Sequence, residues 1–191
     1  MSTTPPGGKI LDRTGAEVTD YAYIQIRSFT RTTPDEVQKA LDAARASSAK
    51  GVILDVRSNP GGLLSQTVQI ADLFLDKGDI VTQVDRDGGS QTYSAKPGVA
   101  TTLPIVVLQD QFSASGAELL AAALKENDRA KVIGTRSFGK GTVNHIVELS
   151  NGGAVYVSIA RWLTPARNQI EAQGVQPNIA DRKSTRLNSS H

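Results

Sequence analysis

Two candidate nucleophiles, Ser113 and Ser115, lie in the stretch QDQFSASGAELLAAALK, residues 109 to 125. The five small residues SASGA follow a β-branched run and precede an alanine-rich segment, so a substrate backbone would have room beside either serine. An unactivated serine is a poor nucleophile and needs a base that takes its proton. The residues of this stretch alone leave the choice between the two serines open.

Two side chains elsewhere in the chain could be that base. Lys140 stands between two glycines in SFGKG. An ammonium in an apolar site loses its hydration, which favours the neutral amine that accepts a proton. His145 is the ordinary choice for a base, but on a strand it shares a face with Val143 and Val147. That position favours a satisfied or half-exposed strand residue.

Two turns rich in glycine and small residues, RSNPGG and FSASGA, each join a predicted strand to a predicted helix. Glycine lets the backbone approach a ligand, and a helix N-terminus adds partial positive charge. Ligands of α/β sheets bind at the carboxyl ends of strands. Together the turns could form an oxyanion hole, although either turn alone is equally typical of a tight connection.

The stretch GTRSFGKG, residues 134 to 141, suggests a rival function because it fits the G-x-x-x-x-G-K pattern of phosphate-cradling loops. Gly141 follows the lysine where a magnesium-binding Ser or Thr is needed, and Thr142 comes one position late. The alternating, β-branched TVNHIVEL predicts a strand, so no helix N-terminus would face the phosphates. We therefore expect no nucleotide.

Composition narrows the remaining function classes. The 191 residues are 39% hydrophobic and 21% charged, which is typical of a globular domain. With a net charge of +2 and scattered basic residues, nothing points to nucleic acid. The chain has no cysteine and only two histidines, His145 and His191, so a histidine- or cysteine-bound metal is not expected. The first residues contain no signal-peptide pattern and no apolar run is long enough to span a membrane.

Hydrophobic periodicity predicts an α/β fold with a largely parallel sheet. Strands are expected at 21–29, 51–56, 79–84, 104–108 and 131–134, and a final hairpin at TVNHIVEL and AVYVSIARWL. Helices are expected from Thr33, with Val37, Leu41 and Ala44 buried, through Leu64 to Leu75, and from the SASGA stretch to about Asn127. Strands alternating with helices support this fold class.

Five segments in register resemble the catalytic core of the carboxyl-terminal processing peptidases, or tail-specific proteases. They are YIQIRSF, GVILDVRSNPGG, SASGAELLAAAL, GTRSFGKGTV and ARWLTPARNQIEAQGVQPN. The resemblance implies a Ser-Lys dyad on a crotonase-like (Clp-protease-like) α/β core. By matching motifs it assigns the nucleophile to Ser115 and the base to Lys140, with the oxyanion hole at Gly61 or Gly62 and at Gly116. No metal or cofactor is implied.

Two positions depart from the family pattern. The family usually has glutamine four residues after the lysine, where it helps to hold the amine, and this chain has Asn144. The shorter amide predicts a looser dyad or a bridging water. Gly116 and Ala117 stand where the family usually continues SASASE, which keeps the backbone N–H after the nucleophile.

The resemblance implies a serine endopeptidase that acts on protein or peptide substrates near their C-terminus. It also implies an upstream PDZ domain, which the first 20 residues cannot hold, and an extracytoplasmic location such as periplasm, cell envelope or thylakoid lumen. We expect residues 1–20 to be the end of an upstream region or linker, 21–180 the core, and 181–191 a disordered tail of native or non-native origin. The alternative is a catalytically inactive peptide-binding fragment of the same fold.

Overall fold

The computed structural model describes residues 3–4 and 18–181. In this part of the chain, three helices accompany a six-stranded and a four-stranded sheet. The helices are α1 (Thr33–Ala46), α2 (Leu64–Asp72) and α3 (Gly116–Glu126). The strands are β1 (Thr3–Thr4), β2 (Tyr21–Ile26), β3 (Gly51–Asp55), β4 (Asp79–Asp85), β5 (Ser90–Ser94), β6 (Ile105–Gln109), β7 (Ala130–Gly134), β8 (Thr142–Glu148), β9 (Ala154–Leu163) and β10 (Ile179–Ala180).

The larger sheet has the order β1-β2-β3-β6-β7-β10 and is parallel except for β1 at its edge. Apolar side chains on one face of its strands are buried with those of the three helices in one core. The prediction of a largely parallel α/β sheet is therefore confirmed. Because β3 and β6 are neighbours, the turns that follow them lie side by side at the carboxyl edge.

The helices follow from their sequence patterns. In α1 the proline in the first turn suits a helix start, and Val37, Leu41 and Ala44 are buried as predicted. Helix α3 is buried on all sides from Gly116 to Leu124. Its alanines permit that position, since small side chains let a helix pack closely against several neighbours at once.

The smaller sheet is antiparallel, in the order β5-β4-β9-β8, and β4 pairs here rather than with the parallel strands. The predicted terminal hairpin is confirmed as β8 and β9. Its outer half carries exposed apolar side chains, with Ile146 52% and Tyr156 66% exposed. Strand β8 begins directly after residues 137–141, which contain Lys140 and are called the lysine segment below. The smaller sheet therefore fixes where the lysine segment ends.

The predicted domain bounds are only partly covered by the described residues. The core predicted at 21–180 lies within them, whereas 1–2 and 5–17 of the predicted linker and 182–191 of the predicted tail lie outside. No helix in the described part of the chain is both long and apolar enough to cross a membrane.

Candidate active site

The two glycine-containing turns meet at the carboxyl ends of β3 and β6. Gly61, in the turn after β3, has φ +102°, a conformation that favours glycine. A Cβ atom at this position would lie 2.7 Å from the Cβ of Ser115, in the turn after β6. Any larger residue at position 61 would therefore push the two turns apart.

Ser115 immediately precedes α3 and has a strained backbone, with φ 52° and ψ −116°. Such a conformation costs a non-glycine residue about 1–3 kcal/mol and is concentrated at functional sites. The residue is half-buried. Next to it, a Cβ on Gly116 would lie 2.6 Å from the Thr67 hydroxyl and 3.0 Å from the Phe29 ring. The absence of a side chain at Gly116 therefore lets the start of α3 pack closely against Thr67 and Phe29.

Ser113 has a different environment from Ser115. It is 1% exposed, and its hydroxyl donates to the carbonyl of Val56 over 2.8 Å and accepts from the amide of Asp110 over 3.0 Å. These bonds tie the turn after β6 to the end of β3. Ser113 is thus a structural residue, while Ser115 stands at the surface of the site.

A fully buried carboxylate, Glu118, connects the serine to the lysine segment. Its Oε2 accepts hydrogen bonds from the amides of Ser115 and Lys140, each over 2.8 Å. Its Oε1 accepts from the Ser137 hydroxyl at 2.5 Å and the Gly139 amide at 2.6 Å. Because one oxygen binds both amides, the nitrogens of Ser115 and Lys140 lie within about 6 Å of each other.

The amides of Gly139, Lys140 and Gly141 all donate to carboxylates. The first two bind Glu118, and the third binds Glu171 over 2.6 Å. A strand rather than a helix follows. The segment therefore differs from a phosphate-cradling loop, whose amides face the ligand and whose helix points at it.

The side chain of Lys140 does not have the apolar surroundings that its two flanking glycines suggested. Lys140 is exposed, and within residues 18–181 its ammonium makes no hydrogen bond or ion pair. The two flanking glycines are explained instead by close backbone packing: a Cβ on Gly139 would lie 3.1 Å from the amide of Gly174, and one on Gly141 would collide with the amide of Glu171.

Asn144 and His145 lie on β8 beyond the lysine. The Oδ1 of Asn144 accepts a hydrogen bond from the Ser158 hydroxyl over 2.8 Å on the partner strand, rather than contacting Lys140. His145 is exposed and pairs with Val157. The structure thus does not bring the Asn144 amide to the lysine amine, and it leaves His145 on the hairpin surface.

The two candidate glycines of the first turn differ in the state of their amides. The Gly61 amide donates to Oδ1 of the fully buried Asn59 over 2.7 Å, while the Asn59 amide group donates to the carbonyl of Ile26. The amides of Gly62 and Gly116 have no hydrogen-bond partner among the described residues. In this conformation the Gly61 amide is engaged by Asn59, whereas the amides of Gly62 and Gly116 are not engaged by a described residue.

Asp110 joins the two turns through hydrogen bonds. Its Oδ1 accepts from the amides of Ser58 and Phe112 over 2.9 and 3.0 Å, and its Oδ2 accepts from the Ser58 hydroxyl over 3.1 Å. Burial raises the pKa of Asp110, but hydrogen bonds from Ser58, Phe112 and Ser113 outweigh it, so the pKa lies below its ordinary value.

A second carboxylate, Asp55, fixes the start of the turn after β3. It is fully buried and binds Arg57 through Nε, Nη2 and the backbone amide, and it accepts a 2.5 Å hydrogen bond from Tyr23. Burial and the bond to Asp55 raise the pKa of Tyr23, and the bond to Asp55 raises that of Arg57. Asp55 thus holds Arg57 at the start of the turn after β3, and Asp110 holds the next residue, Ser58.

The model of peptidase family S41 matches residues 20–181 of this chain. The chain belongs to peptidase family S41. The carboxy-terminal processing protease CtpA of Bacillus subtilis is 41% identical over 157 residues, covering 82% of this chain and 34% of that protein. The carboxyl-terminal-processing protease of Synechocystis is 38% identical over 179 residues, covering 93% and 41%. The chain therefore spans well under half the length of these S41 relatives.

The S41 fold is also found among solved structures. The photosystem II D1 C-terminal processing protease superimposes with a TM-score of 0.78 at 35% identity, covering 86% of this chain and 43% of that one. The mature protein named CPAF has a TM-score of 0.75 at 16% identity and supports the fold alone, covering 90% of this chain and 48% of that one.

Sequence reasoning missed four residues that build this S41 site: Asn59, Asp110, Glu118 and Glu171. A signal existed for Glu118, because a serine followed three residues later by glutamate is the pattern of a helix capping box. The acceptors Asn59 and Asp110 stand at strand ends, where amides of tight turns need partners. No local pattern connects Glu171 to Gly141, thirty residues earlier.

Asp110→Asn should lower the free energy of unfolding near neutral pH, because the amide retains one acceptor oxygen for several donors. A carboxylate whose pKa is lowered by folding stabilises the folded protein at pH values above its unfolded-state pKa of about 3.9. That stabilisation is lost as the pH falls through the pKa of the folded state. The difference from wild type should shrink below about pH 4. Denaturant unfolding at pH 7 and pH 3 measures it, with the exposed Asp87→Asn as control; equal differences at both pH values would contradict this assignment.

Glu118→Gln should be strongly destabilising, because the amide group would face two of the four donors. Each buried donor left without an acceptor costs about 1–3 kcal/mol. Glu148→Gln, the same change at an exposed glutamate of β8, is the matched control, and we expect less than about 0.5 kcal/mol there. Chemical denaturation of both variants would disprove the central role of Glu118 if their losses were equal.

Proposed function

We propose that this S41 chain carries the catalytic core of a serine endopeptidase that cleaves protein substrates near their C-terminus through a Ser-Lys dyad. The observation that carries the proposal is the shared carboxylate of Glu118, which binds the amides of both Ser115 and Lys140. The names of the relatives support the reaction class, since they are carboxyl-terminal processing proteases.

In this mechanism Lys140 accepts the hydroxyl proton of Ser115, and the serine oxygen attacks the scissile carbonyl carbon. The amides of Gly62 and Gly116 donate hydrogen bonds to the oxyanion that forms. Collapse of the tetrahedral intermediate breaks the C–N bond, and Lys140 returns the proton to the leaving amine. Water, deprotonated by the same amine, then hydrolyses the acyl-enzyme.

The exposure of Lys140 sets a condition on this mechanism. A lysine acts as a base only when its amine is neutral, and removal from water favours that form. Ser115 is half-buried beside it, so a substrate backbone lying over the serine would also cover the lysine. We therefore assign the desolvation of Lys140 to the bound substrate or to segments of the longer protein.

The finer assignments rest on resemblance and on the relatives. We propose that an upstream PDZ domain in the longer protein holds the substrate C-terminus, and that the protein works outside the cytoplasm. A chloroplastic carboxyl-terminal-processing peptidase of Arabidopsis thaliana that is 36% identical is consistent with this location. No cofactor, nucleotide or nucleic acid takes part. Asn144 can hold the Lys140 amine only if its Oδ1 gives up the hydrogen bond from Ser158 and accepts one from the amine when substrate binds.

Covalent labelling of the intact protein by a fluorophosphonate tests the dyad, because the Ser115 oxygen attacks phosphorus and displaces fluoride. Ser115→Ala should abolish labelling, and Ser113→Ala should label at a rate close to wild type. Lys140→Arg should reduce the labelling rate by about 10²- to 10⁴-fold, because guanidinium stays protonated and a general base contributes about that factor. His145→Ala should stay within about tenfold.

Two outcomes would overturn the proposal. Near-normal labelling of Lys140→Arg would make the lysine a positive charge rather than a base. Absence of labelling in the wild-type protein, combined with binding of peptide, would favour the inactive peptide-binding fragment. The exposure of Lys140 and the hydrogen bond between Asn144 and Ser158 would then explain the lack of activity.

A further inference from the structure

The segment NQIEAQGVQPN carries part of the family resemblance but has no part in the mechanism above. The structure places its turn, residues 170–175, directly against the lysine segment. The amide of Ala172 donates to the carbonyl of Gly139 over 2.9 Å, and the amide of Val175 donates to the buried Ser137 hydroxyl over 2.6 Å. The turn therefore packs against two residues of the lysine segment, Ser137 and Gly139, that also donate to Glu118.

Contacts between these two segments leave no space for side chains. A Cβ on Gly141 would collide with the amide of Glu171, and a Cβ on Gly174 would lie 2.5 Å from the carbonyl oxygen of Ser137. Gly174 also has φ +64°. Such packing transmits a displacement of one backbone to the other, because neither can give way through a flexible side chain.

The Glu171 carboxylate completes the set of acceptors for this segment. It accepts the amide of Gly141, the residue after the lysine, while Glu118 accepts the amides of Gly139 and Lys140. The peptide group on each side of the lysine Cα is thus held by a different carboxylate. Glu118 belongs to the nucleophile helix, and Glu171 belongs to the turn at 170–175.

We propose that Glu171 is a positioning residue for Lys140, acting through the Gly141 amide; this inference rests on the proposed function. The peptide planes before and after Lys140 together fix its φ and ψ, and hence the direction of its Cα–Cβ bond. Glu118 already holds the first of these planes through the Lys140 amide, so Glu171 holds the second plane, which Glu118 does not contact.

Glu171 is exposed whereas Gly141 is buried. Loss of the carboxylate therefore leaves a buried donor without its acceptor but removes little packing. The expected consequence is a lysine segment that folds and binds substrate yet presents the amine less accurately. A misplacement of about 1 Å at a reacting group costs up to a hundredfold in rate.

The test is single-turnover acylation of Ser115 in the intact protein by a peptide p-nitrophenyl ester, which releases p-nitrophenolate, with the ester concentration varied and the pH profile recorded. Glu171→Ala should reduce the maximal acylation rate by about ten- to a hundredfold with little change in the half-saturating probe concentration. Glu171→Gln should remain within about threefold, because its amide oxygen still accepts from Gly141. Glu148→Ala, at an exposed glutamate on β8, is the matched control and should not change the rate.

A double-mutant cycle separates positioning from a general structural role. In the Lys140→Ala background, Glu171→Ala should have no further effect, because the residue through which it acts is gone. Additive losses, or equal rates for wild type and Glu171→Ala, would overturn the inference. Should the alanine variant fail to fold, Glu171→Asp, whose carboxylate is one methylene shorter, should show the same loss and the same dependence on Lys140.

The same assay distinguishes this inference from the function on which it rests. Near-normal acylation by Lys140→Arg contradicts the Ser-Lys mechanism itself. A collapse of acylation in Lys140→Arg with no change in Glu171→Ala leaves the mechanism in place and removes only the assignment of Glu171.

Discussion

The buried carboxylate of Glu118 is the interaction on which the geometry of the site depends. It lies in the first turn of α3, where the helix dipole favours negative charge, and each of its four partners is a donor. Two of those donors are the amides of the candidate nucleophile and the candidate base, 25 positions apart in the chain. The separation of Ser115 and Lys140 is thereby fixed through the backbone before either side chain takes part.

A second consequence concerns the backbone strain at Ser115. A positive φ at a serine costs about 1–3 kcal/mol, whereas each hydrogen bond to a charged group contributes about 1.5–3 kcal/mol. The bond from the Ser115 amide to Glu118 therefore offsets the strain of this one residue. The absence of a side chain at Gly61 leaves room for the serine Cβ, so the strained turn can lie close to the turn after β3.

Much of the fold was predictable because its determinants are local. Buried strands of the parallel sheet read as continuous apolar runs, and the stripe of Val37, Leu41 and Ala44 predicted the buried face of α1. The pairing of β4 was not predictable, because an apolar strand reads alike in either sheet. Its partner β9 lies about seventy residues later, and only the tertiary structure connects them.

The candidate site shows the same division between local and distant information. Motif matching assigned Ser115 and Lys140, and the turn chemistry located the glycines. It could not distinguish Gly61 from Gly62, because the difference lies in a hydrogen bond to Asn59. The glycines around Lys140 suggested an apolar pocket, yet they are required by backbone contacts with residues 171–174. A small residue in sequence shows that space is limited, but not which neighbour limits it.

The contrast between the fixed backbone of Lys140 and its exposed side chain suggests how the proposed reaction is controlled. The backbone around Lys140 is held by two carboxylates and a packed turn, while the side chain itself is exposed. Backbone order sets where the amine can reach, and hydration decides whether it is a base. The first is built into this chain, and the second changes when a substrate covers Ser115. In the proposed Ser-Lys mechanism, the chain itself therefore places the amine near the serine, and the bound polypeptide removes the water around it.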